Sequence, residues 1–527
     1  MEERLADFLI NSYYGILRIF FLAWLVIAWI NLDAFRKILK DLNRKTWVIL
    51  FLIVLSGLAL RLTVIPHTPH VYFDEFDHIN VAENMSIHGK TAMTFKGGYN
   101  AYEAGWLQAW PPGYHTILAL IFSIFSGSQA VAFNVSAVIG AISIALIFFV
   151  SYLLFHDQEI ALYSAFLFNL IPVHLKYSGA SEPGITSLSF LLLTLFALLV
   201  YVKKREAKTL AWLISTAVLT VYMRPENVIL LLWIPFAVLI YDPFPNSARE
   251  KTAAPLFFFL GSMLLFLIPF FIQMYLSIRA LPRIGWDESL ASRWVYLKMH
   301  IADNLLFWFS RFHPVTFTVM AVYGLMYLIK KNIRLFILLL SWFVIFLVTY
   351  SQYSKADFMY IFDSDRFALN LYIPLILMAA LGLFEFSGLF RKNKIILSVI
   401  LLLMVLDIFA PLKDGLERTF QREVYQEYLF IKRSAPLIPD NVYVVTYDPP
   451  AVISTIRKMA MMPEIFLTME PKPQTIILFK DHWWREFSKD SAAFEKRLNE
   501  TPGFNLRKGK TLASQPPFSF IELKKGN

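Results

Sequence analysis

Apolar runs long enough to cross a membrane recur along this chain, and they limit its fold more than any other feature. A spanning helix needs roughly 17–25 mostly apolar residues. Of the 527 residues, 57% are hydrophobic and only 17% are charged. The core of a soluble protein could not bury so many apolar side chains. The sequence therefore predicts an all-α polytopic membrane protein with about twelve transmembrane helices. The runs lie near residues 8–30, 46–66, 130–155, 160–176, 183–202, 209–223, 227–241, 255–277, 313–330, 333–350, 367–387 and 395–410.

The distribution of Lys and Arg predicts which connections face the cytoplasm. A shorter apolar stretch, 113–127, begins at a Pro-Pro-Gly sequence and is interpreted as an interfacial helix. With that assignment, one set of connections carries 17 Lys and Arg in 47 residues, and the opposite set carries 11 in 105. The positive-inside rule places the first set, which includes 31–45 and 203–208, in the cytoplasm.

The composition changes after Leu412. Residues 413–527 are rich in charge and proline and contain no run long enough to span. A helix is predicted over Asp414–Arg433, and strands are predicted over 441–447, 475–479 and 518–523. The chain is thus predicted to have a transmembrane domain at 1–412, with its first outer loop at 67–112, and a small extracytoplasmic α/β domain at 413–527.

Two compositional features exclude classes of function. The absence of cysteine excludes disulfides, Cys-ligated metals and thiol nucleophiles. The net charge of +10 is explained by the positive-inside bias, so no nucleic-acid partner is expected.

The first outer loop carries the densest group of acidic residues near a predicted span. Asp74, Glu75 and Asp77 lie within four residues, and His78 follows. Clustered carboxylates repel one another, and acids at a membrane edge usually have a function. A solvated turn in which Asp74 caps a helix over 75–86 is the structural alternative.

Other polar clusters fall on the same predicted face. Tyr114 follows the paired prolines and is placed at headgroup depth. Glu182 begins a span, and Arg224 and Glu226 lie between two others. Helix-dipole stabilisation is the alternative explanation of both glutamates. We predict that Asp77, His78, Tyr114, Glu182 and Glu226 belong to one site built from several loops.

A late cluster, Asp363-Ser364-Asp365-Arg366, precedes another span. Arg366 offers a planar guanidinium fork to a phosphate at headgroup level, with Arg224 and Lys355 as further cations. No cofactor is predicted for this site. The Asp363/Asp365 pair leaves a divalent cation as the weaker alternative.

The order of these motifs resembles the superfamily C integral membrane glycosyltransferases. It is most similar to the branch of protein O-mannosyltransferases and aminoarabinose transferases. The motifs that carry the resemblance are Phe73-Asp74-Glu75-Phe76, Trp110-Pro111-Pro112-Gly113-Tyr114, Ser181-Glu182, Arg224-Pro225-Glu226 and Arg366-Phe367.

The resemblance implies a polyprenyl-phosphate sugar as donor and an acceptor at the outer membrane face. It also implies that Asp74 is the catalytic base and Glu75 its neighbour in the acceptor site. The residues then predicted to contact the acceptor or the sugar are Asp77, His78, Tyr114, Glu182 and Glu226. The Trp-Trp-Asp signature of oligosaccharyltransferases is absent, because Arg485 follows Trp483 and Trp484.

We therefore expect a multi-pass protein of the plasma membrane that transfers a sugar to an acceptor hydroxyl by single displacement with inversion. A secondary transporter is the first alternative, although the charges gather at span ends rather than at the midplane. A non-catalytic scaffold on the same fold is the second.

Overall fold

The computed structural model describes residues 2–71, 74–107, 110–241, 260–280, 290–353, 357–358, 364–389, 394–420 and 422–525. Most of these residues are helical, and a single mixed sheet lies at one end of the helices.

The helices before residue 420 form the membrane part of the chain, together with the turns that join them. In chain order they are α1 (Glu2–Ile30), α2 (Leu32–Lys40), α3 (Arg44–Thr63), α4 (Asp74–His88), α5 (Gly113–Phe125), α6 (Gln129–Phe155), α7 (Gln158–Asn169), α8 (Pro172–Tyr177), α9 (Pro183–Lys204), α10 (Ala207–Met223), α11 (Leu230–Tyr241), α12 (Ile268–Ala280), α13 (Leu290–Leu306), α14 (Val315–Lys331), α15 (Ile333–Ser351), α16 (Tyr372–Leu389) and α17 (Lys394–Phe420). Short 3₁₀ turns lie at Pro225–Ile229, Phe307–Phe309 and Ser364–Leu371.

Among the residues that the structure describes, six stretches are long and apolar enough to cross a membrane. They are Glu3–Ile30, Arg44–Thr63, Gln129–Phe155, Pro183–Lys204, Ile333–Ser351 and Ser364–Leu389. The other predicted runs, where the structure describes them, are helical but shorter or more polar. The membrane-embedded, mainly helical class is therefore confirmed, and the number of twelve spans stays a prediction.

One predicted span is interrupted. The run 160–176 is divided into α7 and α8, because Pro172 cannot donate the backbone hydrogen bond that would continue α7. Arg61 of α3 bridges this break, bonding to the side chains of Asn169 (2.9 Å) and His174 (2.7 Å). The break brings Lys176 and Tyr177 to the end of the helices where the polar motifs gather.

Connections that were predicted to share the cytoplasmic face lie together. Asp33 accepts from Lys204 at 3.3 Å and from Lys208 at 3.1 Å, which joins 31–45 to 203–208. At the opposite end of α1, the backbone N–H of Thr91 donates to the carbonyl of Ile10 at 2.8 Å. The start of α1 therefore lies on the same side as the loop that carries Asp74.

Smaller helices and seven strands make up the sheet-containing part. The helices are α18 (Glu423–Ser434), α19 (Pro449–Ile456), α20 (Pro463–Thr468), α21 (His482–Glu486) and α22 (Ser488–Glu500). The strands are β1 (Ala92–Gly98), β2 (Ala101–Leu107), β3 (Tyr443–Val445), β4 (Ala460–Met461), β5 (Thr475–Lys480), β6 (Lys510–Gln515) and β7 (Phe518–Lys524).

The sheet joins two distant parts of the sequence. Its order is β2-β1-β4-β3-β5-β7-β6, so the hairpin β1–β2 of the first loop pairs with the strands after residue 440. In the β1–β4 pair, Lys96 is opposite Met461 and Gly97 is opposite Ala460. The first loop and the C-terminal residues therefore lie on the same side of the spanning helices.

Side chains reinforce this junction. Phe76 of α4 stacks on Tyr428 of α18 with ring centres 6.4 Å apart. Arg457 pairs with the buried Glu83 of α4 at 3.4 Å, and its guanidinium lies over the Tyr99 ring. The helix that carries Asp74 therefore packs directly on the C-terminal residues.

A helix and a strand differ from their predicted bounds. The predicted helix Asp414–Arg433 is divided, because α17 ends at Phe420 and α18 begins at Glu423. The strand predicted at 441–447 is limited to Tyr443–Val445, since Asp448 caps the next helix. Helix α17 also runs through the predicted boundary at Leu412, so the change in composition there does not coincide with a break in the chain's structure.

Candidate active site

Asp74 and Arg366 meet although 292 positions separate them. Asp74 begins α4 rather than preceding it, and its side chain is 26% exposed. Arg366 lies in the 3₁₀ turn before α16, and its Nη2 is 3.5 Å from Asp74 Oδ2. A guanidinium carries a permanent positive charge and a planar set of N–H donors, so Arg366 is suited to bind a phosphate.

Glu75 is placed quite differently from its neighbour. It is fully buried, and its carboxylate accepts three backbone N–H groups, from His70 (2.5 Å), Val71 (2.8 Å) and Ser181 (2.6 Å). Burial raises its pKa to about 8, although the three N–H donors act in the opposite direction. Glu75 thus fastens the loop before α4 to the turn before α9.

Asp365 holds Arg366 in place. Lys176 Nζ is 2.9 Å from Asp365 Oδ2, and the Tyr177 hydroxyl donates to Oδ1 of the same carboxylate. Both partners come from α8. Asp365 therefore fixes the 3₁₀ turn to the interrupted helix, which orients the next residue, Arg366, towards α4.

Arg224 supplies a second cation beside Arg366. Its Nη2 is 2.6 Å from Glu226 Oε1. The guanidinium carbons of Arg224 and Arg366 lie 5.2 and 5.4 Å from the centre of the Phe367 ring. Two permanent positive charges thus lie near one aromatic ring, and such a pair favours an anion with several oxygens.

Glu182 is fully buried, and neither carboxylate oxygen makes a hydrogen bond of good geometry with the described residues. Burial raises its pKa, and the positive charges of Arg224 and Arg366 partly oppose that effect. A Cβ on Gly184 would lie 2.3 Å from Glu182 Oε1, so a larger residue there would displace the carboxylate. A buried carboxylate that lies near two arginines and has few hydrogen-bond donors of good geometry is suited to accept hydroxyl groups.

His78 and Tyr114 form the inner wall of the site. His78 Nδ1 is 2.9 Å from His115 Nε2, and burial lowers the pKa of His78, which favours its neutral form. The Tyr114 hydroxyl is 3.0 Å from Ser181 Oγ, and both residues are buried. Gly113 permits this packing, since a Cβ there would lie 2.5 Å from the carbonyl of Tyr222.

Asp77 is partly buried, one helical turn after Asp74, and faces the C-terminal residues. Lys355 and Asp363, two other predicted site residues, lie outside the described residues. Within the described ranges, no group of three His, Asp or Glu side chains is arranged to hold a metal ion. The carboxylate of Asp365 is already bonded to Lys176 and Tyr177.

The structure thus brings most predicted residues to one end of the helices and adds others. Asp74, Arg366, Arg224, Glu226 and Glu182 surround one region, and Glu75 lies behind it as a structural anchor. Sequence analysis gave no site role to Lys176, Tyr177 and His115. The first two act through a contact with Asp365, which no local pattern indicates.

Comparison with known sequences supports the resemblance over part of the chain. The family model described as dolichyl-phosphate-mannose-protein mannosyltransferase matches residues 109–275. Dolichyl-phosphooligosaccharide-protein glycotransferase 2 of Archaeoglobus fulgidus is 28% identical over 165 residues. That match covers 29% of this chain and only 27% of the relative, so most of the relative's length has no counterpart in the alignment.

Solved structures extend the likeness to nearly the whole fold. ArnT from Cupriavidus metallidurans in the apo state aligns with a TM-score of 0.58 at 12% identity, covering 90% of this chain and 97% of ArnT. The archaeal oligosaccharyltransferase AglB from Archaeoglobus fulgidus, in complex with an inhibitory peptide and a dolichol-phosphate, aligns with a TM-score of 0.53 at 12% identity. That alignment covers 92% of this chain and 74% of AglB. These findings confirm the resemblance that the motifs indicated, and the chain has the fold of the superfamily C membrane glycosyltransferases.

Proposed function

We propose that this protein transfers a sugar from a polyprenyl-phosphate donor to an acceptor hydroxyl. The observation that carries the proposal is the meeting of Asp74 with Arg366, beside Arg224, at one end of the spanning helices. A base and a phosphate-binding pair are the two groups that this reaction needs. The structure of ArnT bound to undecaprenyl phosphate, which shares the fold at a TM-score of 0.56, supports a lipid phosphate as the donor.

In the proposed reaction, the acceptor oxygen attacks the anomeric carbon from the side opposite the phosphate, and the configuration inverts. The bond between that carbon and the phosphate oxygen breaks, and its electron pair leaves with the lipid phosphate. Asp74 takes the proton of the hydroxyl as that oxygen becomes acidic. Arg366 and Arg224 stabilise the charge on the departing phosphate.

The contact between Arg366 and Asp74 suggests how donor binding prepares the base. The donor's phosphodiester has two non-bridging oxygens that share one negative charge, and these oxygens compete with the carboxylate for the guanidinium. When Arg366 turns to the donor, Asp74 loses its cation and becomes a stronger base. Glu182 and Glu226 then remain as acceptors for sugar hydroxyls, and His78 and Tyr114 line the wall.

Substitution of Arg366 tests the donor site. Arg366→Ala is expected to weaken binding of polyprenyl phosphate more than tenfold, because a charge-assisted pair is lost. Arg366→Lys is expected to recover only part of it, since the fork is absent. Binding of the lipid phosphate to purified protein in nanodiscs is the measurement, and Arg485→Ala, which removes an exposed guanidinium paired with Glu423, is the control.

Equal affinity of the parent protein and Arg366→Ala for the lipid phosphate would indicate that the phosphate is bound by Arg224 or Lys355 instead.

A transfer assay with radiolabelled polyprenyl-phosphate sugars distinguishes a transferase from a transporter. Label that moves to an acceptor supports the transferase, whereas uptake of substrate into vesicles without transfer favours a transporter.

We also propose that the site and the C-terminal residues face the outside of the plasma membrane. The excess of Lys and Arg on the opposite connections supports this orientation. A reporter fused after Asn527 is expected to behave as extracytoplasmic, with alkaline phosphatase active there. An inactive phosphatase together with an active cytoplasmic reporter at the same position contradicts the assignment.

A further inference from the structure

A fully buried arginine, Arg61, lies where the chain breaks between α7 and α8. Its Nη1 donates to the carbonyl of Gly57 at 2.8 Å and to Asn169 Oδ1 at 2.9 Å. Its Nη2 donates to His174 Nδ1 at 2.7 Å, and its Nε donates to Ser178 Oγ at 3.2 Å. All four partners are uncharged, and a guanidinium inside a helical bundle is costly to bury without a negative partner. Packing alone therefore does not account for Arg61.

The surrounding helices make room for this guanidinium. A Cβ on Gly57 would lie 2.5 Å from Asn169 Oδ1 and 3.1 Å from Arg61 Nη1. A Cβ on Gly140 of α6 would lie 2.6 Å from Ser178 Oγ and 3.0 Å from Arg61 Nε. The positive charge also lies at the C-terminal ends of α3 and α7, where the helix dipoles are negative. Two glycines and two helix ends thus form a fitted site for one cation.

Arg61 holds the short helix α8 at two points. His174 lies within α8, and Ser178 follows its last residue as the C-terminal cap. A guanidinium can only donate, so His174 Nδ1 accepts and the imidazole is neutral. Ser178 Oγ accepts from Arg61 and donates to the carbonyl of His174 at 2.6 Å. Because a planar fork reaches both residues, it fixes the direction of α8 as well as its position.

The same short helix carries the two residues that hold Asp365. Lys176 Nζ is 2.9 Å from Asp365 Oδ2, and the Tyr177 hydroxyl donates to Oδ1. The residue after Asp365 in the 3₁₀ turn is Arg366. A series of contacts therefore leads from Arg61 through α8 and Asp365 to Arg366.

We infer that Arg61 is a positioning residue for the donor phosphate, because it fixes α8, and through Asp365 the direction of the Arg366 guanidinium. This inference rests on the proposed function, in which Arg366 binds the lipid phosphate. A guanidinium fork loses its paired bonds to a phosphate when its direction changes. If Arg61 only stabilises the break between the helices, its substitution lowers Tm and leaves the phosphate affinity of the folded protein unchanged.

Binding of undecaprenyl phosphate to the full-length protein in nanodiscs tests the inference, with Tm measured on the same preparation. Arg61→Lys keeps the charge but cannot reach both partners on α8, so the affinity is expected to fall at least about threefold. Arg44→Lys, at the exposed start of the same helix, is the matched control and is expected to keep the parental affinity. Trp233→Phe removes a 3.1 Å hydrogen bond to Ser341 between α11 and α15, so it is expected to lower Tm without lowering the affinity.

A double-mutant cycle tests whether the effect passes through α8. Tyr177→Phe removes the hydroxyl that donates to Asp365, and all four proteins of its cycle with Arg61→Lys carry the same charge. If Arg61 acts through α8, the loss of affinity in the double variant is smaller than the product of the two single losses. Ser178→Ala removes one partner of Arg61 and is the milder variant, with a smaller loss expected, which serves if Arg61→Lys does not fold. Unchanged affinity in these variants, or single losses that simply multiply, overturns the inference.

The melting temperatures of the same proteins without lipid separate this inference from the proposed function. A Tm loss in the double variant that is smaller than the sum of the single losses supports the coupling of Arg61 to Tyr177, whatever the ligand is. If Arg366→Ala binds undecaprenyl phosphate as tightly as the parent while this coupling is present, the proposed donor site is wrong and the positioning of Asp365 by Arg61 stands. If Arg366→Ala weakens binding and Arg61→Lys does not, the proposed donor site stands and the inference is wrong.

Discussion

Asp74→Asn is expected to lower the rate of sugar transfer by about 10²–10⁴-fold while leaving the melting temperature close to that of the parent. The amide keeps the shape of the side chain but cannot take the proton of the acceptor hydroxyl. Asp74 is partly exposed, and Arg366 approaches its side chain only to 3.5 Å, so little stability depends on this contact. Transfer rate and thermal unfolding measured on one preparation test both statements.

A true helix cap provides the control for this variant. Asp157 caps α7 and accepts the N–H groups of Glu159 (2.7 Å) and Ile160 (3.0 Å). Asp157→Asn keeps the side-chain oxygen that caps, and Asp157→Ala is expected to cost about 0.5–2 kcal/mol of stability with turnover unchanged. If Asp74→Asn resembles Asp157→Ala instead, Asp74 is a cap and not the base.

Glu75→Gln is expected to show the reverse pattern, a loss of stability of at least about 1–3 kcal/mol. The carboxylate of Glu75 accepts three backbone N–H groups, and an amide places its own N–H₂ against at least one of them. Turnover per folded molecule should change far less than in Asp74→Asn. Denaturation midpoints and active-site-normalised rates measure the two effects.

Glu464→Gln serves as the matched control, because Glu464 is exposed on α20. It should leave both quantities unchanged. A Glu75→Gln protein that melts like the parent but transfers no sugar would return Glu75 to the role that the family resemblance implied. Asp74 and Glu75 would then both act in catalysis, instead of one being catalytic and the other structural.

How far the sequence predicts this molecule depends on the range of the interaction. Apolar periodicity and Pro-Pro-Gly signals act over neighbouring residues, so α1, α3, α6, α9 and α15 appear close to their predicted bounds. The hairpin β1–β2 was missed, because AMTFKGG lacks the alternation of a half-buried strand and pairs with residues 460–461.

The candidate site divides in the same way. The order of the motifs predicted that Asp74, Glu182, Arg224 and Arg366 share one face, since each lies at the end of a predicted span. Their different roles follow from contacts that no spacing encodes. Glu75 is a structural anchor because Ser181, 106 positions away, donates to it, and Asp365 is bonded to Lys176 at a separation of 189.

The pairing of β1 with β4 also sets an order for the making of this protein. Residues 92–98 leave the ribosome long before residues 460–461, so the early loop must wait, without its neighbouring strand, while the later spans are inserted. The late strand arrives, and Phe76 acquires Tyr428 as a packing partner, only after the spans between them have been translated. A nascent chain therefore cannot complete the surroundings of Asp74 before the strands that pair with the first loop have been synthesised.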